Sequence, residues 1–297
     1  MKRSHGWIDP TSGALAGALA KTLTAPLERI KLVLQNQELA IGRAAAIPVK
    51  GLVDGFRQIS KERLGYRTFW RGNGVNMLRV LPTYGIRFYL YPHFYHFSSR
   101  HIAQTDISRL CAGGLAGAGA VLFTHPLDTV RTRLAAARSF SDERAYRGFM
   151  DCFLSTWRDA GARGFYVGCM VSLMEIAPYT AITFAGYEGA KHRLAAQGAE
   201  VSGLWKLSFG LASGALATSC CYPLDTVRRQ LMLEGARGFA PKYQRNLLRC
   251  LSMLWIEGGV RRFYRGWSVT MVKAVPTVAL TFCANDFFRE TLHSKFG

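Results

Sequence analysis

The chain has 297 residues, of which 38 are lysine or arginine and 19 are aspartate or glutamate, so its formal net charge is +19. Such a charge usually indicates a nucleic acid or an anionic membrane as the partner. Hydrophobic residues nevertheless make up 49% of the chain and charged residues only 19%, which excludes a disordered basic protein. The apolar residues come in long blocks, and these blocks favour a membrane protein over a nucleic-acid-binding protein.

One unit is repeated three times along the chain. A Pro-Leu-acid-x-Val/Ile-base motif begins at Pro26, Pro126 and Pro223. Each copy also has a G-x-x-x-G segment before the motif, which lets helices approach closely, and an aromatic-x-Gly and a second proline after it. Constant offsets in three copies predict carrier-like repeats over residues 1–104, 105–201 and 202–297, integrated into one bundle.

In chain order, each repeat reads as a long apolar segment, a short amphipathic helix and a second apolar segment. A stretch of about 20 apolar residues crosses a bilayer as a helix, and segments 110–127 and 207–224 contain no acid, lysine or arginine. The sequence therefore predicts an all-α membrane protein with six transmembrane helices in three pseudo-symmetric repeats and three short amphipathic helices. The long segments are 11–37, 73–97, 107–137, 169–194, 205–233 and 267–293, and the short ones are 52–62, 149–159 and 246–257.

Six charged side chains of the repeated motif lie at one level of the predicted bundle. Each acid precedes its base by three residues, so both lie on one side of their helix. Threefold symmetry then joins each acid to the base of another repeat. Because fixed structural pairs would not need three symmetric copies around a pathway, we interpret this ring as a gate. The predicted pairs are Glu28 with Arg131, Asp128 with Arg228, and Asp225 with Lys31.

Three residues before the second proline of each repeat stand Arg79, Glu175 and Lys273. Charges at membrane depth are costly unless they face a wet cavity, so these residues predict a central polar site. With Lys21 and Arg87, cations outnumber the acid, which favours an anionic solute carrying phosphates. An alternative is that Arg87 pairs permanently with Glu175. Helical spacing adds neighbours on the same faces, namely Thr83, Tyr91, Tyr179, Thr183 and Tyr187.

The three P-x-[DE]-x-x-[KR] motifs, each followed by an aromatic-[KR]-G type element, make the whole chain resemble the mitochondrial carrier family. The resemblance implies a monomeric, multi-pass transporter of the inner mitochondrial membrane that alternates between two gated states and binds cardiolipin. It implies that the charged ring is the matrix gate, with Gln35 as its brace, and that the short helices lie on the matrix side. It also implies that the substrate contacts are Lys21, Arg79, Glu175, Ile176 and Lys273, with Tyr179 stacked on a base.

The resemblance further implies a second, cytoplasmic gate with the motif [FY]-[DE]-x-x-[KR]. Repeat two has the complete motif, and repeat three has its acid and base but not its aromatic residue. Residues 91–95 of repeat one have neither the acid nor the base. We therefore expect this gate to be weaker than the matrix gate, with the charged residues Glu188, Lys191, Asp286 and Arg289. By the same resemblance, glycines that open helix N-termini are expected to bind cardiolipin phosphates. These glycines are Gly72, Gly168 and Gly266.

Within the family, the sequence around the three motifs is most similar to the ADP/ATP carrier branch. That branch has R-R-R-M-M-M where this chain has Arg228-Arg229-Gln230-Leu231-Met232-Leu233, and a small residue where this chain has Glu175. The run Asn73-Gly74-Val75-Asn76 is more similar to the coenzyme A and ATP-Mg/phosphate branches. We expect exchange of a phosphorylated, nucleotide-type solute, with ADP/ATP-like exchange favoured. The alternatives are coenzyme A, ATP-Mg/phosphate, thiamine pyrophosphate, a cation-bearing substrate that uses Glu175, or a substrate-insensitive proton-leak relative.

No pattern indicates catalysis, a metal site or a bound cofactor other than lipid. The chain has seven cysteines without a C-x-x-C pair, which argues against a disulfide framework or a zinc site. Residues 1–10 are too short and polar for a secretory signal, so we expect any targeting signal to be internal. The expected partners are a small anionic solute and membrane lipid, and no nucleic acid is expected.

Overall fold

The structure is a computed structural model that describes residues 8–40, 49–62, 65–102, 105–137, 146–196 and 203–296. Nearly all of these residues are helical, and short 3-10 helices cover Gln37–Leu39, Gly65–Trp70 and Ala162–Phe165. The α-helices of the described ranges are α1 (Ile8–Leu23), α2 (Ala25–Asn36), α3 (Leu52–Ser60), α4 (Asn73–His101), α5 (Thr105–Ala136), α6 (Phe149–Ala160), α7 (Cys169–Ala196), α8 (Gly203–Leu233), α9 (Leu247–Phe263) and α10 (Trp267–Phe296).

The predicted order of long, short and long helices is present in each repeat, which confirms the fold class. The motif proline acts differently in the three copies. In repeat one the helix is interrupted at Thr24, two residues before Pro26, and continues as α2. In repeats two and three the helix runs through Pro126 and Pro223. The Thr24 amide still donates to Ala20 O at 3.0 Å, so the helical hydrogen-bond pattern continues at the interruption.

Four helical segments of the described chain are long and apolar enough to cross a membrane: Asp106–Ala136, Ala162–Leu194, Leu207–Leu233 and Trp267–Leu292. Six crossing segments are expected from the repeats, and the two in repeat one do not meet this measure. Helices α1 and α2 have only 16 and 12 residues. Helix α4 has 29 residues but carries arginines, histidines and two prolines along its length.

Helices from neighbouring repeats pack against each other and close the bundle. The most extensive contacts join α4 to α5, α7 to α8, and α10 to α1. Four of the six G-x-x-x-G glycines do not make the expected close approach, because Gly17, Gly113, Gly210 and Gly214 have open space at the Cβ position. At Gly117 a Cβ would lie 3.6 Å from Arg87 Nη2, in ordinary contact with a neighbouring helix. The residues one position earlier in each helix are small and buried instead, because they form the stripe that faces the neighbouring helix. At five of the six glycines these residues are Ser12, Ala16, Ala112, Ala116 and Ser213, and the stripe continues four residues later with Ala20, Ala120 and Ala217.

The short helices cover the end of the bundle where the Pro-Leu-acid motifs lie, which we call the motif end. Each packs into one of three apolar clusters, such as the one that contains Ile30, Val33 and Ile59. An acid in the first turn fixes two of these helices: Asp54 accepts the Lys50 amide at 2.9 Å and Asp151 accepts the Arg147 amide at 2.8 Å. The Lys50 amide, helped by the Gln58 side chain, lowers the pKa of Asp54.

Candidate functional site

The three ion pairs expected between repeats lie together at the motif end. Lys31 Nζ is 2.7 Å from Asp225 Oδ2, and Arg131 Nη2 is 3.3 Å from Glu28 Oε1. Arg228 contacts Asp128 in the third pair. Helical spacing puts these side chains on the inner faces of α2, α5 and α8. We call these six residues the ring.

Arg229 is a seventh member that the sequence analysis did not assign to the ring. Its Nε lies 2.9 Å from Asp225 Oδ1, and its Nη2 lies 3.9 Å from Glu28 Oε1. Asp225 and Arg229 are four residues apart on one helix, and this spacing is the signal that identifies the pair. The ring therefore holds one more cation than carboxylates.

Gln35 lies beside the ring, and its side chain forms a hydrogen bond with Thr226, the residue that follows Asp225. Its Nε2 donates to Thr226 Oγ1 at 2.8 Å. Its main-chain oxygen accepts from Gln230 Nε2 at 2.7 Å and from Arg262 Nη1 at 3.2 Å. The residue thus links repeat one to repeat three next to the pair, and the bracing role stays a prediction.

Each of the three residues at the predicted substrate level contacts the ring in another repeat. Arg79 Nη1 is 3.6 Å from Asp128 Oδ1, and Glu175 Oε2 is 3.6 Å from Arg228 Nη1. Lys273 forms an ion pair with Glu28. The alternative in which Arg87 pairs with Glu175 is not seen in the described part of the chain, because the ion-pair partner of Glu175 there is Arg228.

A cavity of about 230 Å³, which we call the repeat-one cavity, lies between α1, α2, α4, α5 and α10. Its lining includes three of the predicted substrate residues, Lys21, Arg79 and Lys273. Lys21 Nζ also lies 5.9 Å above the Tyr84 ring. The only carboxylate among its lining residues is Glu28, and the cations are Lys21, Arg29, Arg71, Arg79, Arg131 and Lys273. The cavity therefore has a strong electrostatic preference for an anion.

A second cavity of about 270 Å³, the α4–α7 cavity, holds the other five predicted substrate residues: Thr83, Arg87, Glu175, Ile176 and Tyr179. Tyr179 and Ile176 provide apolar and aromatic surface, and Arg87 and Arg228 provide charge. This combination suits a flat ring system attached to an anion. Thr183 instead donates to Tyr179 O at 2.8 Å and is exposed, and Tyr91 stacks on Tyr95 at 6.1 Å.

At the opposite end of the bundle, Glu188 pairs within its own helix. Its carboxylate lies 3.2 Å from Lys191 Nζ and 3.9 Å from His192 Nε2. Asp286 and Arg289 lie on α10 and are exposed. The ring pairs at the motif end are therefore formed, whereas Glu188 pairs with no residue of another repeat within the described ranges. The role of these four residues as a second gate stays a prediction.

The glycines that open α4, α7 and α10 are held against the ring helices. Gly72, Gly168 and Gly266 have φ values of +84°, +81° and +82°. A Cβ at Gly168 would lie 3.0 Å from Arg228 O, and one at Gly72 would lie 3.2 Å from Arg131 O. Glycine is thus needed for both backbone conformation and close approach, and lipid binding at these positions stays a prediction.

Comparison with known proteins gives consistent matches over the whole chain. The family described as Mitochondrial carrier protein matches residues 2–101, 104–198 and 200–296. ADP/ATP translocase 3 of Homo sapiens is 35% identical, covering 88% of this chain and 89% of the relative. A probable envelope ADP,ATP carrier protein, chloroplastic, of Arabidopsis thaliana is 33% identical over 95% and 70%. Mitochondrial carrier protein CoAc2 of Zea mays is 33% identical over 95% and 85%.

Proposed function

The chain belongs to the mitochondrial carrier family, and we propose that this multi-pass membrane transporter exchanges a phosphorylated, nucleotide-type anion by alternating access. The observation that carries the proposal is the pair of cavities, one rich in cations and one with aromatic and apolar surface. Each is smaller than the roughly 300–1,000 Å³ of a complete ligand site. A solute with a phosphate end and a flat ring end would use both.

Binding of such a solute would weaken the ring. Arg79 and Lys273 are held by the ring carboxylates Asp128 and Glu28. Phosphate oxygens compete for the same two cations, and each charge-assisted hydrogen bond that a phosphate accepts from them weakens their attraction to the ring carboxylates. Occupancy therefore lowers the free energy needed to separate the repeats at the motif end, which faces the matrix in this proposal.

ADP/ATP-like exchange is the favoured form of this function. The human and Arabidopsis relatives are named as ADP/ATP carriers, and Tyr179 and Ile176 offer a stacking surface for a base. Coenzyme A is the second candidate, because a relative is named Mitochondrial carrier protein CoAc2 and the run Asn73-Gly74-Val75-Asn76 is similar to the coenzyme A branch. ATP-Mg/phosphate and thiamine pyrophosphate stay as further alternatives.

We propose the inner mitochondrial membrane as the location, with a monomer surrounded by cardiolipin. One relative is named as chloroplastic, so this assignment is tested by fractionation of cells that express the tagged chain. Recovery with a plastid or peroxisomal membrane marker would contradict it. Delipidation followed by addition of cardiolipin tests the lipid, with the midpoint of thermal unfolding as the readout.

The transport proposal is tested with the full chain reconstituted into cardiolipin-containing liposomes. We expect uptake of labelled ADP or ATP only when the liposomes contain an exchangeable nucleotide. Arg79→Ala is expected to lower exchange by about ten- to a hundred-fold, whereas Arg109→Ala, on an exposed pair with Asp106, is expected to retain it. Exchange of coenzyme A alone would select the second candidate. Absence of exchange with every nucleotide and phosphate ester would refute the substrate class.

A further inference from the structure

We infer that residues 236–240, which we call the strap, form a second closure of the motif end that is separate from the ring and has to detach in each transport cycle. The strap begins three residues after the end of α8 and contacts both other repeats. It uses no residue of the ring and none that lines the two cavities. The inference rests on the proposed alternating access, because a separation of the repeats is what would pull these contacts apart.

The strap lies past the ring, beyond the last turn of α8. Arg228 of the ring stands five residues before the end of α8 at Leu233, which is about 8 Å along a helix axis. Two glycines with left-handed φ values, Gly235 at +70° and Gly238 at +86°, then turn the chain. The turned chain contacts repeat one through residues 239–240 and repeat two through residue 237.

The contact with repeat one is a short antiparallel pairing of main chains. The Ala240 amide donates to Leu39 O at 2.8 Å, and Ala40 and Phe239 form an antiparallel bridge. Leu39, Ala40 and Phe239 are buried in one apolar cluster, which also includes Ala136 of repeat two. This pairing is therefore shielded from water, and a hydrogen bond in such surroundings is stronger than an exposed one.

The contact with repeat two centres on Arg237. Its Nη1 lies 3.2 and 3.1 Å from the two carboxylate oxygens of Asp151, and its guanidinium carbon lies 5.3 Å from the centre of the Tyr146 phenol group. The Arg237 amide also donates to Tyr146 Oη at 3.0 Å. Tyr146 is only 3% exposed, and its carbonyl oxygen accepts from Arg71 of repeat one. One residue of repeat two is thus hydrogen bonded to both other repeats.

Opening of the motif end would break both contacts of the strap. The strap is part of repeat three, whereas Leu39 belongs to repeat one and Tyr146 to repeat two. If the repeats separate as units, the Ala240 amide loses Leu39 O, and Arg237 loses Tyr146 and Asp151. The strap therefore adds to the free energy that keeps the motif end closed. Because part of this closure is a buried main-chain hydrogen bond, salt weakens it less than it weakens exposed ion pairs.

The first test locks the contact with repeat one in the full chain, reconstituted into liposomes. Because the Ala240 amide bonds to Leu39 O beside the bridge, Ala40 and Phe239 form a non-hydrogen-bonded pair, whose Cα atoms lie about 4.5 Å apart. That spacing suits a disulfide, so the double variant Ala40→Cys/Phe239→Cys is oxidised and the cross-link is confirmed by mass spectrometry. We expect nucleotide exchange to fall at least about ten-fold and to return with dithiothreitol.

The single variants Ala40→Cys and Phe239→Cys, oxidised in the same way, are the controls and are expected to keep exchanging. They also show whether the seven native cysteines respond to the oxidant. A double variant that does not cross-link would contradict the bridge on which the inference depends. Exchange by the cross-linked protein as fast as by its reduced form would overturn the inference, because the strap would then stay attached during transport.

The second test asks whether the two contacts open together, and it needs no solute. Deuterium uptake by backbone amides is followed by mass spectrometry in the detergent-solubilised full chain. Arg237→Gln weakens the contact with repeat two and is expected to raise the uptake rate at the Ala240 amide about three-fold or more. The matched control, Lys242→Gln, breaks an ion pair with Glu257 inside repeat three and is expected to leave that rate unchanged. The disulfide of the double variant is expected to slow uptake at the Arg237 amide.

The two tests separate this inference from the transport proposal. Exchange by wild type together with equal exchange by the cross-linked protein retains transport and overturns the strap. Unchanged uptake at the Ala240 amide in folded Arg237→Gln also overturns it, because the two contacts would then open independently. Coupled uptake in a protein that exchanges no solute supports the strap and refutes the nucleotide proposal.

Discussion

Nη1 of Arg79 lies 3.6 Å from Oδ1 of Asp128. A predicted solute-binding residue of repeat one therefore contacts the ring carboxylate of repeat two. The relation is repeated around the bundle. Glu175 of repeat two contacts Arg228 of repeat three, and Lys273 of repeat three contacts Glu28 of repeat one. The solute level and the ring are therefore one charge network. A change at either level is expected to alter both solute binding and the stability of the closed end.

Glu175→Gln is expected to strengthen the binding of highly charged anions. Glu175 is one of two carboxylates that contact Arg228, and removing its charge leaves more of the positive potential for the solute. We expect the half-saturating concentration of ATP to fall by about three- to ten-fold, which corresponds to about 1 kcal/mol. Exchange assays over a concentration range measure it. Glu290→Gln, at an exposed position on α10, is the control, and equal effects of the two changes would contradict the assignment.

Reversing the Lys31–Asp225 pair tests whether the ring stabilises the closed end. Lys31 is 5% exposed and lies 2.7 Å from Asp225. Lys31→Asp or Asp225→Lys alone leaves like charges buried together and is expected to destabilise the protein by about 3–5 kcal/mol. The double swap restores opposite charges and is expected to recover at least half of the lost unfolding temperature and exchange. A double variant no better than the worse single variant would show that the pair has no such role.

Gly168→Ala separates backbone packing from lipid binding. With φ at +81° and a Cβ that would lie 3.0 Å from Arg228 O, alanine is expected to destabilise the protein by at least about 1–2 kcal/mol. Gly74→Ala is the matched control, because Gly74 lies in the first turn of α4 with open space at its Cβ. That change is expected to be neutral or to stabilise by about 0.5–1 kcal/mol. The measurement is thermal unfolding with and without added cardiolipin. If Gly168→Ala matches wild type without lipid and differs only with it, packing is the wrong explanation.

The repeated motif made most of the architecture predictable from the sequence. Threefold copies fix which helices are neighbours, so the pairing of Asp128 with Arg228 needs only the symmetry and the three-residue spacing. The eight predicted solute residues also line the two cavities, because inward faces follow from helical periodicity. The ring rests on residue types that all three repeats share, whereas the solute-binding role of the eight cavity residues stays a prediction.

Features confined to one repeat were not predictable in the same way. The interruption at Thr24 has no counterpart at Pro126 or Pro223, although the local motif is the same. The position of Arg71 in the lining of the repeat-one cavity depends on how α4 packs against its neighbours, and a single sequence does not give that packing. The G-x-x-x-G pattern did not identify the helix contact correctly for a similar reason. The alanine and serine residues one position earlier face the neighbouring helix, and the sequence alone does not show which of the two positions does so.

Cys250 and Cys152 are expected to be unreactive thiols in the folded protein. They lie on α9 and α6, outside the crossing segments, and burial raises the pKa of each to about 12. Since only the thiolate reacts, alkylation by a maleimide at pH 7.5 should be at least about a hundred-fold slower at Cys250 than at an exposed cysteine placed two residues away by Ser252→Cys. Mass spectrometry of tryptic peptides measures both rates in one sample.

The pH dependence of that reaction gives a second, independent readout. The folded pKa of Cys250 lies above the ordinary value of 9.0, so its thiol stays protonated while an exposed cysteine ionises. Raising the pH from 9 to 10.5 is expected to change labelling of the cysteine in Ser252→Cys by no more than about two-fold, because that thiol is already largely ionised, whereas labelling of Cys250 is expected to keep rising by about ten-fold per pH unit. Because the folded pKa is raised, the contribution of Cys250 to stability is complete below pH 9 and is lost between pH 9 and about 12. Labelling of Cys250 that levels off above pH 9 together with the introduced cysteine would show that the Cys250 thiol is open to water.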